Sequence, residues 1–304
     1  MTMRDGLIKN QALRVLDNDR YALILVVVLM LLPYAEWASM TVLSLVTLRK
    51  GWRHGGLLLI PALTSHILVS LMSTVLAVAL IDACARVLPC YVASCLLRST
   101  RSWKAIAFVF FVLIVLGAFS LHLFAPEAID AQYVYLQAVL KETDSGRIAL
   151  GLWEEQKIRS FVFSNYLLGF QAVCFFGAIV SPVIFARSLQ SQLYYPGGFR
   201  QELLNVRGDK QSVIVLVLLC LAAYQEHLLA MNSLPLILFY FILAGLSFAA
   251  HVLIKMKPLR VFVLLMVPFI LFPLLVMPLY VVLGALDSLF NFRLYLSPSA
   301  GKTT

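Results

Sequence analysis

Few residues in this chain are of types that do chemistry. Four ionisable groups lie in or beside apolar stretches of its first third: Glu36, His66, Asp82 and Arg86. Burying such groups among apolar residues is costly, so they mark ligand, ion or proton sites by default. Asp82 and Arg86 stand four apart and share a face if helical, so a local ion pair capping a span is the structural alternative. His66 follows Thr64 and Ser65 in a greasy run. An imidazole there can touch a ligand, relay a proton, or pack as a hydrogen-bonded core group. Glu36 sits between two short apolar runs, where an interfacial turn and a site-lining position both remain open. These four form the expected ligand-binding set, whereas His122 and His251, near the ends of apolar runs, read as interfacial.

No catalytic arrangement emerges. G-x-S-x-G, H-E-x-x-H and the phosphate-loop pattern are all missing, and Ser299 to Thr303 only echoes the end of a phosphate loop. The reading is therefore no enzyme, no cofactor and no metal site. Cys84, Cys90, Cys95, Cys174 and Cys220 lie in apolar segments without zinc spacing and read as buried small hydrophobes.

The elements that position these groups follow from composition. Of 304 residues, 62% are hydrophobic and 13% charged, with mean hydropathy +0.91, far from the roughly 25% charged content of soluble domains. The net charge of +9 sits in short clusters flanking apolar runs. That pattern marks cytoplasmic loops and gives no reason to invoke nucleic acid. The lipid bilayer is the expected environment, with a cytoplasmic or membrane protein partner also open. The expected fold is an all-α polytopic bundle, residues 1–304 as a single transmembrane domain.

In order, residues 1–20 form a cytoplasmic lead-in. Tyr21 to Leu32 and Ala38 to Leu48 make a hairpin of short helices or one broken span. Leu57 to Ile81 crosses, with His66 about a third of the way along, Val87 to Leu97 returns, and Ala105 to Phe124 crosses again. Residues 126–160 carry six acids against four bases and read as an extracytoplasmic amphipathic helical insertion. Phe161 to Ala186 returns to a cytoplasmic loop, residues 187–211, followed by Ser212 to Tyr224 and Leu234 to Ile254. Val261 to Leu286, interrupted by Pro268, Pro273 and Pro278, either crosses once or folds back. The tally is about eight or nine spans with a cytoplasmic N-terminus, and nine would put the C-terminus outside. Gly177 with Ser181, and Gly245 with Ala249, read as close helix contacts.

The longest polar break in the second half is Tyr194 to Arg207. Pro196, Gly197 and Gly198 favour a turn. Phe199 offers an apolar anchor beside Arg200, Glu202 and Arg207, so partner docking is one reading. Anion or headgroup binding by the glycine amides and Arg200 is another.

Three segments carry a resemblance: Val46-Thr47-Leu48-Arg49-Lys50-Gly51, Tyr195-Pro196-Gly197-Gly198-Phe199-Arg200-Gln201-Glu202, and the terminal run from Leu283 to Arg293 containing Gly284, Asp287 and Phe290. Together they resemble the DUF2232, or YybS-like, family of bacterial membrane proteins. Tyr195 stands where that family often has Asn, Leu289 replaces its Trp and Asn291 replaces an acid. The resemblance implies a multi-spanning inner-membrane protein distantly similar to the substrate-binding S-components of energy-coupling-factor transporters. Two functions are expected: a transporter-like protein binding a small molecule or lipid between helices, or a non-transporting scaffold or assembly factor in envelope biogenesis that recruits protein partners.

Overall fold

A computed structural model of the chain describes residues 3–155, 159–253 and 258–296, and every regular element among them is helical. The chain divides into two compact units, Met1–Ile106 with Phe175–Glu202, and Ala107–Cys174 with Leu203–Thr304.

The first unit is built on α1 (Met3–Asp17), α2 (Asp19–Leu31), α3 (Glu36–Lys50), α4 (Trp52–Ser70) and α5 (Leu76–Thr100). Asn18 caps α2 by accepting the amides of Arg20 and Tyr21, and the helix stops ahead of Pro33. The hairpin reading holds: α2 and α3 pack together, and Ser39 Oγ donates to the Val26 carbonyl at 2.8 Å. Gly51, at φ 106°, turns the chain from α3 into α4 in a conformation that disfavours any other residue. Arg98 Nη1 donates to the carbonyls of Leu48 at 2.8 Å and Arg49 at 2.6 Å, capping the end of α3.

Successive helices alternate in direction. Lys50 meets Asp19, Tyr91 Oη donates to the Trp52 carbonyl, and Ser44 meets Cys90 Sγ at 3.3 Å. One end of these helices therefore gathers Arg20, Arg49, Lys50, Arg53 and Arg98, while the α2–α3 and α4–α5 turns lie at the other. Ala22, Ala62, Ala79, Ala83 and Ala93 are fully buried. Lipid is as apolar as any core, so small residues that let backbones approach are what drives such packing.

Two expected boundaries move. The span expected over Leu57 to Ile81 is instead two helices, and α5 runs unbroken where a short return over Val87 to Leu97 was expected. The Ser70 carbonyl receives the amides of Ser73 and Thr74 and both of their hydroxyls. Side chains that satisfy a backbone carbonyl locally compete with helix continuation. His66 consequently lies near the C-terminal end of α4 rather than a third of the way along a longer helix.

The second unit contains most of α6 (Trp103–Phe124), α7 (Pro126–Lys141), α8 (Asp144–Glu155), the start of α9 (Ser160–Tyr194), and α11 (Lys210–Tyr224), α12 (Leu228–Val252), α13 (Pro258–Leu271), α14 (Pro273–Phe290) and α15 (Arg293–Leu296). The one remaining helix, α10 (Gly198–Leu204), holds the boundary between units at Glu202 and Leu203. Residues 126–155 are helical as expected, with a turn at Glu142 and Thr143. The closest helix crossing is α12 on α14: a Cβ on Gly245 would lie 2.0 Å from the Tyr280 carbonyl oxygen, and one on Gly284 2.4 Å from that of Phe241. Gly177, in the first unit, differs: a Cβ there would meet nothing within 4 Å among the described residues, and the close contact expected of it is not seen there.

The proline-rich last segment bends sharply at Phe272. Tyr280 Oη donates to the Leu265 carbonyl at 3.1 Å, although a straight helix would hold those residues about 22 Å apart. A single straight crossing over Val261 to Leu286 is thereby excluded.

Among the described residues, five helices are long and apolar enough to cross a membrane: α5, α6, α9, α12 and α14. Lys210–Tyr224 and Arg260–Leu271 are shorter apolar helices.

Candidate functional site

The four ionisable residues singled out in the first third of the chain meet at one place in the first unit. Glu36 opens α3, His66 comes from the end of α4, and Asp82 and Arg86 come from two consecutive turns of α5. His66 Nε2 lies 2.9 Å from Asp82 Oδ2, and its Nδ1 lies 3.5 Å from Glu36 Oε1. Arg86 Nε donates to Asp82 Oδ1 at 2.7 Å, and its Nη1 lies 3.7 Å from Glu36 Oε2. The i, i+4 pair foreseen for Asp82 and Arg86 is thus present, and it is half of a larger network.

Burial is graded across the cluster. The His66 side chain is 9% exposed, Glu36 28%, Asp82 35% and Arg86 53%, so the imidazole forms the floor and the guanidinium the rim. A neutral imidazole has one N–H. With that hydrogen on Nε2 toward Asp82, Glu36 Oε1 faces a ring nitrogen with nothing to donate. Glu36 Oε1 is indeed buried without a hydrogen-bond partner. Two carboxylates then face one permanent cation. Among the described residues no group of three His, Cys, Asp or Glu side chains is arranged to hold a metal ion.

The segment from Tyr194 to Arg207 is held on both sides. Gly197, at φ 89°, makes the turn. Ser191 Oγ accepts the Phe199 amide at 2.9 Å and donates to the Tyr195 carbonyl at 2.9 Å, and the Gly198 amide donates to that same carbonyl. The amides of Gly198 and Phe199 are therefore engaged internally, which removes them from the anion-binding reading. In the first unit, Glu202 accepts from Arg187 Nε at 3.1 Å and from Trp103 Nε1 at 3.2 Å, and Phe199 is half-buried. Pro196 and Arg200 are exposed.

In the second unit, the carbonyls of Leu203, Leu204, Val206 and Arg207 are each taken by a side chain. Ser247 Oγ donates to Leu203 at 2.7 Å, Arg293 to Leu204 and, at 2.9 Å, to Val206, and Tyr240 Oη to Arg207 at 2.9 Å. Arg293 also binds the fully buried Asp287 at 2.8 Å. Gly284 sits at the α12 crossing, and the Phe290 and Phe292 rings lie 5.8 Å apart. The terminal motif therefore acts as a clamp on the stretch after α10. The motif over Val46 to Gly51 is likewise structural, its carbonyls held by Arg98.

Sequence reasoning missed Arg98, Arg187 and Ser191, whose partners lie far along the chain or in its turns. It also missed a second polar group: His122 Nε2 lies 2.8 Å from Asn232 Nδ2, and the buried Ser164 Oγ, Asn165 Oδ1 and Asn232 Oδ1 have no partner among the described residues. Asparagines within apolar runs were the available signal. Of the cysteines only Cys90 is buried, while Cys84, Cys174 and Cys220 are exposed. Lying in an apolar segment does not fix which face of its helix a residue occupies. Lys255 and Lys257, the Ser299 to Thr303 tail and the C-terminus lie outside the described residues.

Several helices of spanning length, clothed in exposed Leu, Ile, Val and Phe, define a multi-pass α-helical membrane protein. No family model, curated protein or solved structure matches the chain.

Proposed function

We propose that this is a transporter-like bacterial inner-membrane protein that binds a small polar molecule at the Glu36, His66, Asp82 and Arg86 cluster. The observation carrying this reading is the convergence of four ionisable side chains from three helices, with a buried carboxylate oxygen left without a donor. Ionisable side chains gathered among apolar helices are costly and default to ligand or ion sites. The basic ends of α3, α4 and α5 support a cytoplasmic N-terminus by the excess of Lys and Arg there. The cluster, at the other end of those helices, then opens toward the opposite face. Eight or nine crossings accommodate α2 to α6, α9, α11, α12 and the bent α13–α14 pair. The resemblance to the DUF2232 family is consistent with this arrangement.

Native mass spectrometry of the full chain in mild detergent tests the reading. A retained small molecule that disappears in His66→Ala supports it. A stoichiometric protein partner with no small ligand overturns it in favour of a scaffold or assembly role.

A further inference from the structure

We infer that the polar cluster between α6, α9 and α12 binds one monovalent metal cation, for which sodium is the probe. It lies in the second unit and does not depend on what the Glu36 cluster binds. His122 comes from the last turn of α6, Ser164 and Asn165 from the start of α9, and Asn232 from the start of α12. Asn232 Nδ2 lies 2.8 Å from His122 Nε2, and the same ring interacts with Asn165. One turn beyond Asn165, a Cβ on Gly169 would lie 2.6 Å from the Asn232 carbonyl oxygen, so α9 and α12 meet backbone to backbone. The occupant of so close a crossing is an ion or a water, not an organic molecule.

The sign of the ligand follows from which atoms are left over. Asn165 Nδ2 donates to the Phe161 carbonyl at 2.8 Å, and Asn232 Nδ2 faces the imidazole, so the nitrogen end of each amide is engaged. Asn165 Oδ1, Asn232 Oδ1 and Ser164 Oγ have no hydrogen-bond partner among the described residues. Ser164 stands out, because Ser94, Ser120, Ser233 and Ser288 each donate to the carbonyl four residues back in their own helix. The three residues are only 1%, 1% and 2% exposed, and leaving such buried oxygens unpaired is costly. Pro235 has no N–H, so the Met231 carbonyl, beside Asn232 in α12, loses its usual helical donor as well. What remains are oxygen acceptors, which attract a cation and repel an anion. A single water brings two hydrogens to them, whereas a metal ion draws on every oxygen within reach. Hard cations take carbonyl and hydroxyl oxygens, and broken membrane helices supply them. None of these side chains is a carboxylate that would offset a divalent ion, which favours a single charge.

The test follows thermal unfolding of the full chain in mild detergent as sodium chloride replaces choline chloride at constant ionic strength. The midpoint is expected to rise saturably with sodium, because an ion held only by the folded chain stabilises it by mass action. Radiolabelled sodium is expected to bind at one per chain. Ser164→Ala removes one ligand oxygen and nothing else, so it weakens sodium binding roughly tenfold, yet keeps or raises the midpoint in choline, where the hydroxyl is an unpaired buried group. Asn165→Ala weakens sodium binding in the same way. A midpoint equal in the two salts, no bound radiolabel, or a sodium effect undiminished in both variants means that water alone fills the cluster and overturns the inference. Stronger stabilisation by calcium that Ser164→Ala removes overturns the monovalent assignment.

Discussion

Arg293 Nε donates to Asp287 Oδ2 at 2.8 Å, six residues back and across the left-handed Asn291 that ends α14. The carboxylate is wholly buried and the guanidinium nearly so. Removing one partner of such a pair strands a buried charge, which costs about 3–5 kcal/mol. Arg293→Ala is expected to lose that much in detergent unfolding experiments. Asp287→Asn added to Arg293→Ala should recover part of it, because no uncompensated charge then remains. A double variant as unstable as the sum of its singles would refute the pairing.

Gly245 offers a sharper steric test. Its Cβ position lies 2.0 Å from a backbone carbonyl, which cannot yield as a side chain tip can. Gly245→Ala should therefore push α14 off α12 and cost about 1–3 kcal/mol. Gly177→Ala, with open space around it, serves as the control and should change little. Comparable thermal midpoints for the two variants would contradict the crossing.

Lys50 holds the Asp19 carboxyl below its usual range, chiefly by hydrogen bonding to it. A carboxylate depressed in the folded state contributes stability above the ordinary carboxylate range and loses it as pH falls below. Asp19 is 60% exposed, so screening keeps the contribution to about 0.2–1 kcal/mol. Asp19→Asn should cost that amount at neutral pH and low salt. The difference should shrink at high salt and vanish in acid, as followed by thermal unfolding.

Sidedness is open to cysteine labelling. With the five native cysteines replaced, Ser73→Cys in the α4–α5 turn should react with an impermeant maleimide in intact cells. Tyr195→Cys beside Gly197 should react only after permeabilisation. The reverse pattern would invert the proposed topology.

Periodicity and composition were enough to place most helices, because long apolar runs have one stable state in lipid. They failed where local polar chemistry overrode the run: Ser73 and Thr74 ended a helix in the middle of Leu57 to Ile81, and the backbone bend at Phe272 divided the last segment. Glu36, His66, Asp82 and Arg86 were each visible as misplaced charge, yet only one of their pairings was, since Asp82 and Arg86 alone share a helix. Facing across α3, α4 and α5 depends on rotation about each axis, which spacing within one helix does not encode. The same ignorance of rotation misjudged the exposed cysteines. Arg293 could be read as part of a motif but not as a clamp, because the carbonyls it holds lie 87 and 89 residues away.

The length of α9 has a consequence for the turn that follows it. Its 35 residues extend about 52 Å at 1.5 Å each, whereas the hydrocarbon layer is about 30 Å thick. The apolar run stops at Ala186, and the eight residues from Arg187 to Tyr194 add about 12 Å of helix beyond it. The contact of Glu202 with Arg187 then folds α10 back along that extension, so the turn at Gly197 is the tip of a helical hairpin and not the start of a free loop.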